Sequence, residues 1–292
     1  MLHKLKIIAR RHGMNVCIAT LYEIFIRGYR KKYIRWFCKI LYSQRNPDGV
    51  YFVLGCYNSG TTIIKDAIGL HPDVTTAPIE GDVLTAEFST HEADGWSRCM
   101  YARVFDILES RKGDAINSKR VLSDWSPWIK RGKVFLEKSI SHTVRIPHLR
   151  KAFPSTKFIY VTRDMDAVVA GIQRRSTPAP PAKLICGEKY PDKLLQQQWR
   201  FFNEIVLLDA KNHDDVLIIS YEKFLSEPKR ITEQMHKFLC LQKQELTFVD
   251  NFLRCGASEI YIKNTRATKN LTAFLENECD LRHAIERNFN GI

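Results

Sequence analysis

A short strand, a glycine-containing turn and a helix follow one another directly in the first third of this chain. Val50–Leu54 is an unbroken run of apolar, β-branched and aromatic residues, which is typical of a strand buried on both faces of a parallel sheet. Gly55 ends that run, and Ser59–Thr62 lead into Ile63–Leu70, a predicted helix that stops before Pro72. Because such a strand needs helices over both of its faces, the unit indicates an α/β protein.

The alternation of strands and helices continues along most of the chain. Further strands are predicted at Val134–Glu137, Lys157–Thr162 and Val216–Ser220, and further helices at Val144–Phe153, Asp166–Arg175, Lys193–Lys211, Pro228–Leu241 and Glu245–Arg254. Strands that alternate with helices form parallel sheets with short, right-handed connections. We therefore predict one three-layer, P-loop-like α/β domain in which a short parallel sheet is flanked by helices.

The N-terminal segment differs in character from the rest. Residues 1–48 contain eleven Lys or Arg and two Asp or Glu, in a chain whose net charge is +13. Apolar residues between 25 and 41 recur at helical spacing with basic residues between them, which predicts an amphipathic helix on the protein's own core or on an anionic membrane surface. We therefore divide the chain into a basic amphipathic segment, 1–48, and an α/β domain, 49–292.

Charge and cysteine content bear on location and partners. A basic segment also suits nucleic acid or an acidic substrate, but it explains none of the later motifs, and we expect no nucleic-acid partner. The apolar stretches near the N-terminus are too short for a signal peptide or a membrane span, and the eight cysteines are scattered without a C-x-x-C pair. The sequence thus predicts a cytoplasmic protein, at most peripheral to a membrane, without a metal.

The turn between the first strand and its helix has the features of an anion-binding loop. Backbone N–H groups and the positive end of the helix dipole meet at such a turn. Gly60 allows close approach of an anion, and Thr61 and Thr62 add hydroxyl donors. The loop is not a Walker A motif, since no Lys precedes the threonine pair. It suits a phosphate or a phosphosulfate; taken alone, the Ser-Gly-Thr-Thr sequence favours an ordinary strand-to-helix turn with a threonine cap.

Three later motifs give this loop a family context. They are Phe158–Asp164, Ser220–Pro228, and Glu137–Ser139 followed by Arg145–Pro154. Together with the loop, over about residues 50–241, the chain resembles the sulfotransferases that use 3′-phosphoadenosine-5′-phosphosulfate (PAPS), and most closely the branch containing tyrosylprotein and many bacterial sulfotransferases. The resemblance implies a nucleotide-binding transferase that moves a sulfuryl group from PAPS to a hydroxyl or amine of a glycan, lipid or peptide. Adenosine 3′,5′-bisphosphate (PAP) would be the product.

The resemblance also implies roles for individual residues. The loop Asn58–Thr62, with Ser59, Gly60, Thr61 and Thr62, would hold the 5′-phosphosulfate, and Lys138 would contact it too. Arg163 would bind the 3′-phosphate, and Tyr221 would lie near the base. Their ordinary alternatives are a strand-end lysine for Lys138, a strand-end arginine for Arg163 and a half-buried core aromatic for Tyr221. The acceptor pocket would come from segments of about Asp82–Arg131 and Ser176–Asp192.

Sulfuryl transfer also needs a base for the acceptor proton. The resemblance favours Glu80, because the tyrosylprotein branch carries its catalytic glutamate in this segment. Asp82 remains an alternative, as does His142, since cytosolic members use a histidine just after the lysine strand. The position that best matches their histidine is Ile140.

Two positions depart from the family pattern. Asn58 stands where Lys or Arg is usual, and Gly171 stands where a serine commonly contacts the 3′-phosphate. We interpret Arg266 and Lys269 as candidates for the missing contact. An inactive homologue is therefore one alternative. A P-loop phosphotransferase is the other, although the loop lacks the lysine that this class uses on phosphates.

Overall fold

A computed structural model describes residues 46–242 of the chain apart from 89–94, 112 and 114. It contains one sheet of five parallel strands in the order β2-β3-β1-β4-β5. The strands are β1 (Gly49–Gly55), β2 (Val74–Thr76), β3 (Val134–Lys138), β4 (Lys157–Thr162) and β5 (Val216–Ser220). The predicted parallel sheet is confirmed.

Nine α-helices surround the sheet in the described part of the chain. They are α1 (Thr61–Gly69), α2 (Val104–Ser110), α3 (Ser118–Trp125), α4 (Ile146–Ala152), α5 (Met165–Arg175), α6 (Ala182–Cys186), α7 (Asp192–Ala210), α8 (Tyr221–Ser226) and α9 (Pro228–Phe238).

Apolar residues on the two faces of the sheet form two separate cores. On one face, Phe52 and Leu54 of β1 pack with residues of α3, α4, α5 and α7, including Trp125 and Phe202. On the other, Val53 packs with residues of α1, α8 and α9. Phe52, Val53 and Leu54 are fully buried, which explains why β1 has no polar face. The predicted three-layer α/β architecture is confirmed.

The strand register brings the predicted site residues to one edge of the sheet. Val53 of β1 lies opposite Lys138 of β3, and Gly55 lies opposite Val161 of β4. Thr162 in turn lies opposite Ser220 of β5. The residues that follow these strand ends therefore meet at the carboxyl edge, where open α/β sheets bind their ligands.

Several predicted boundaries were wrong, each for a local reason. The helix predicted at Val144–Phe153 begins at Ile146, because 140–144 form a 3-10 turn and Pro147 suits a first helical turn. The helix predicted at Pro228–Leu241 ends at Phe238, shortly before Cys240, whose φ of 57° is not helical.

Other elements carried too little sequence signal. The three residues of β2 are too few for a period to show, and the short helices α2, α3, α6 and α8 were also missed. The basic segment up to residue 45 and the helix predicted at Glu245–Arg254 lie outside the described residues. Among the helices that are described, none is both long and apolar enough to span a membrane.

Candidate functional site

A cavity of about 520 Å³ opens at the carboxyl edge of the sheet. Eight of the predicted site residues line it: Asn58, Gly60, Thr61 and Thr62 from the loop, and Glu80, Lys138, Arg163 and Tyr221 from elsewhere in the chain. The last four come from segments up to 141 residues apart in sequence, Glu80 and Tyr221 being the extremes. The sheet thus brings together residues that the sequence motifs had assigned to a single centre.

The loop owes its shape to two left-handed residues. Asn58 has φ of 61° and Gly60 has φ of 95°. Between them, Ser59 is buried, and both its N–H (3.2 Å) and its hydroxyl (2.7 Å) donate to the carbonyl oxygen of Cys56. Ser59 therefore stabilises the turn from inside and does not line the cavity.

The N-terminus of α1 points its first turn at this cavity. Gly60 is the N-cap residue and offers no side-chain acceptor, so no cap competes for the first N–H groups of the helix. Thr61 and Thr62 lie in that turn and line the cavity. These donors and the helix dipole suit an anion, and we call residues Asn58–Thr62 the anion loop.

The ring of Tyr221 covers Gly60 closely. A Cβ added to Gly60 would lie 2.2 Å from Cδ2 of Tyr221, well inside the contact distance of two carbon atoms. The centre of the Tyr221 ring also lies 4.7 Å from the guanidinium carbon of Arg163, a distance typical of cation–π stacking. Position 60 thus requires glycine for both its backbone angle and its space.

We expect Gly60→Ala to lower the free energy of unfolding by more than the ~1–2 kcal/mol that a left-handed backbone costs an alanine. The added cost comes from displacing the ring of Tyr221. Gly132→Ala is the matched control, because Gly132 also has positive φ (72°) but has no atom near its added Cβ. Urea denaturation of both variants measures the difference; equal losses would contradict the steric role of Tyr221.

Arg163 is held in place from several directions. Its Nη1 donates to the carbonyl oxygen of Asn58 at 2.9 Å, and its own carbonyl accepts from Nε1 of Trp199 at 2.8 Å. The next residue, Asp164, caps α5 by accepting the N–H of Ala167 at 2.8 Å. Arg163 therefore leaves β4 in a fixed direction, toward the loop.

Glu80 and Lys138 form an ion pair inside the cavity, between Oε1 and Nζ. The Lys138 side chain is 11% exposed and that of Glu80 38% exposed. Lys138 is the last residue of β3, whereas Glu80 precedes a 3-10 turn at Gly81–Val83. An acid and a cation thus lie side by side at the mouth of the anion loop.

The two alternative bases lie elsewhere. His142 is fully buried, with its ring 4.4 Å from that of Phe88 and 5.5 Å from that of Phe52, and burial lowers its pKa well below the ordinary value. Asp82 is also buried and accepts a 2.5 Å hydrogen bond from the hydroxyl of Ser141. Neither lines the cavity, so Glu80 alone of the three candidates can reach a ligand there.

Gly81 is anchored behind Glu80 by residues from the core. Its N–H donates to Oε1 of Glu137 at 2.6 Å, and its carbonyl accepts from Nε1 of Trp125 at 3.0 Å. Burial raises the pKa of Glu137 to about 8 and lowers the pKa of His142, whose Nε2 lies 3.3 Å from Oε2 of Glu137. The two hydrogen bonds of Gly81 fix the backbone next to Glu80.

Sequence reasoning missed two arginines of the cavity, Arg98 and Arg175. Arg175 lies at the end of α5, four residues and so about one helical turn after Gly171, a spacing that could have drawn attention to it. Arg98 belongs to an irregular segment, where φ of 58° sets its direction. No periodic pattern marks such a position.

The two departures from the family pattern touch each other. A Cβ on Gly171 would lie 3.1 Å from Cβ of Asn58, so the missing side chain at 171 leaves room for the one at 58. Arg266 and Lys269, the candidates for the missing contact, lie outside the described residues. In the part of the chain that is described, no group of three His, Cys, Asp or Glu residues could hold a metal ion.

Comparison with known proteins agrees with this geometry. The model of the Sulfotransferase family matches residues 51–245. A Caenorhabditis briggsae protein named "Putative protein-tyrosine sulfotransferase" is 24% identical over 245 residues, which are 79% of this chain and 82% of that protein. The crystal structure of sulfotransferase STF9 from Mycobacterium avium is similar in fold, with a TM-score of 0.51 at 14% identity, over 78% of this chain and 72% of the other.

Proposed function

The chain belongs to the sulfotransferase family, and we propose that it transfers a sulfuryl group from PAPS to a hydroxyl or amine of an acceptor. One observation carries the proposal: an acid and a cation, Glu80 and Lys138, are paired in the cavity that the anion loop lines. Family membership favours this function over a P-loop phosphotransferase. The absence of a lysine from the loop agrees with that choice.

The cavity offers a complementary group for each anionic part of the donor. The first turn of α1 and the hydroxyls of Thr61 and Thr62 would hold the phosphosulfate. Arg163 would take the 3′-phosphate, since a guanidinium presents paired donors to such an oxyanion. Tyr221 would then lie next to both sites, because its ring contacts Gly60 and Arg163.

The reaction needs a base and a cation at one sulfur atom. The acceptor oxygen or nitrogen would form a bond to sulfur while the bond from sulfur to the bridging phosphate oxygen breaks, which releases PAP. Glu80 would take the acceptor proton, and Lys138 would stabilise the negative charge that develops on the departing oxygen. A carboxylate has about four lone-pair sites, so Glu80 can bind Lys138 through Oε1 and accept a proton through Oε2.

The acceptor would enter beside the irregular segment that precedes α2. Ser97 and Arg98 line the cavity from this segment, which belongs to one of the two stretches predicted to shape the acceptor pocket. The curated relative is named for protein tyrosine, so tyrosine-containing peptides are the first acceptors to test, followed by glycans and lipids. Cytoplasmic location and membrane contact through residues 1–48 remain predictions.

Two measurements test the proposal. Calorimetry should show PAP binding that is unchanged by EDTA, because no step of the proposed reaction uses Mg²⁺. Incubation with ³⁵S-labelled PAPS should label one of the peptides, glycans or lipids, and Glu80→Gln should abolish most of that label. Transfer of labelled phosphate from ATP, or nucleotide binding that requires Mg²⁺, would instead support the phosphotransferase.

Arg163→Ala should weaken PAP binding by about 1.5–3 kcal/mol, the usual value of a hydrogen bond to a charged group. The loss should be confined to nucleotides with a 3′-phosphate, so 5′-AMP should bind the variant as it binds the parent. Arg200→Ala, on α7, serves as a charge-matched control outside the cavity lining. A variant that still prefers PAP over 5′-AMP as strongly as the parent does would show that Arg163 has another role.

A further inference from the structure

Asn58 holds two arginines at once. Its carbonyl oxygen accepts from Nη1 of Arg163 at 2.9 Å, and its side-chain Oδ1 accepts from Nη1 of Arg175 at 3.2 Å. Both arginines line the cavity. One loop residue therefore brings two guanidinium groups, 12 positions apart in sequence, to the same side of the anion loop.

Gly171 leaves room for the side chain of Asn58. A Cβ there would lie 3.1 Å from Cβ and 3.4 Å from Cγ of Asn58, closer than most carbon contacts. Without it, the Asn58 amide packs directly on α5, with Oδ1 within reach of Arg175 one turn further along. The same absence leaves position 171 without any polar group for a ligand.

Charge and geometry favour one ligand for both arginines. A phosphate monoester carries a charge of about −1.5 to −2 and three acceptor oxygens at neutral pH, more than a single guanidinium fork can satisfy. Arg163 is fixed by Asn58 and by the ring of Tyr221. Arg175 is exposed, so its guanidinium can shift toward a phosphate at little desolvation cost.

We propose that Arg175 is the second ligand of the 3′-phosphate, beside Arg163, and that Asn58 positions both. The inference rests on the proposed function, since it assigns a residue to the donor of that reaction. It assigns the contact that position 171 lacks to Arg175, which lies on the same helix, and not to Arg266 or Lys269. Asn58 then positions the two arginines, whereas the lysine or arginine that is usual at this position would contact the donor directly.

Calorimetric titration of PAP and 5′-AMP into the full chain tests this assignment. We expect the parent to bind PAP more tightly than 5′-AMP. Arg175→Ala should bind PAP about 10-fold more weakly, the lower end for a lost charge-assisted contact, and should bind 5′-AMP as the parent does. Arg175→Lys should give an intermediate affinity, because it keeps the charge and loses the fork.

Arg174→Ala is the matched control. Arg174 is the neighbouring exposed residue of α5, carries the same charge and does not line the cavity, so PAP affinity should stay unchanged. Equal weakening by both alanine variants, or equal weakening of PAP and 5′-AMP by Arg175→Ala, would overturn the assignment. So would a parental PAP preference in Arg175→Ala. A parent without any preference for PAP would instead refute the proposed donor, and this inference with it.

Discussion

Glu80→Gln is expected to reduce turnover by about 10²–10⁴-fold, the usual contribution of a general base. The amide keeps the shape and the hydrogen-bonding reach of the carboxylate but cannot take the acceptor proton. PAP affinity should stay near that of the parent, because the proposed base acts on the acceptor. The measurement is single-turnover transfer from labelled PAPS, together with calorimetric binding of PAP.

Asp82→Asn is the matched control for Glu80→Gln. Asp82 lies two residues away and is buried against Ser141, so its amide variant should affect stability more than turnover. Urea denaturation of the two variants separates these effects. Parental turnover in Glu80→Gln, or a larger loss of turnover in Asp82→Asn with its stability intact, would move the role of base away from Glu80.

Lys138→Ala should lower both turnover and donor affinity. Lys138 would contact the donor in the ground state and meet more charge in the transition state, so its removal acts on both. The loss in turnover should be about 10²–10³-fold, as for removal of one donor from an oxyanion site. Affinity for PAP should fall by about 1.5–3 kcal/mol, and calorimetry and transfer assays measure the two losses.

Two further variants define what Lys138 supplies. Lys133→Ala removes the same charge just before β3, where Lys133 contacts the carbonyl of Pro72, and it should leave turnover and PAP affinity unchanged. Lys138→Arg retains charge in a different geometry and should recover part of the PAP affinity. Unchanged PAP binding in Lys138→Ala would show that this lysine supports Glu80 alone and does not contact the donor.

The sequence alone was sufficient for the architecture and for the edge of the sheet that carries the site. Apolar runs such as Lys157–Thr162 identify buried strands whatever surrounds them, and parallel strands end at a common edge. Residues at or just after the end of a strand, such as Lys138, Arg163 and the loop at Gly60, could therefore be assigned to one place. Their chemical roles were inferred from the family resemblance.

Only the tertiary structure decided which side chains face the cavity. Glu80 and Asp82 lie two positions apart, yet one lines the cavity and the other is buried, because Gly81 between them is held by Glu137 and Trp125. Arg175 contacts Asn58 of the loop beside position 171, where an added side chain would crowd Asn58. The direction in which each of these side chains points depends on contacts between residues more than 40 positions apart. Local sequence patterns cannot predict those contacts.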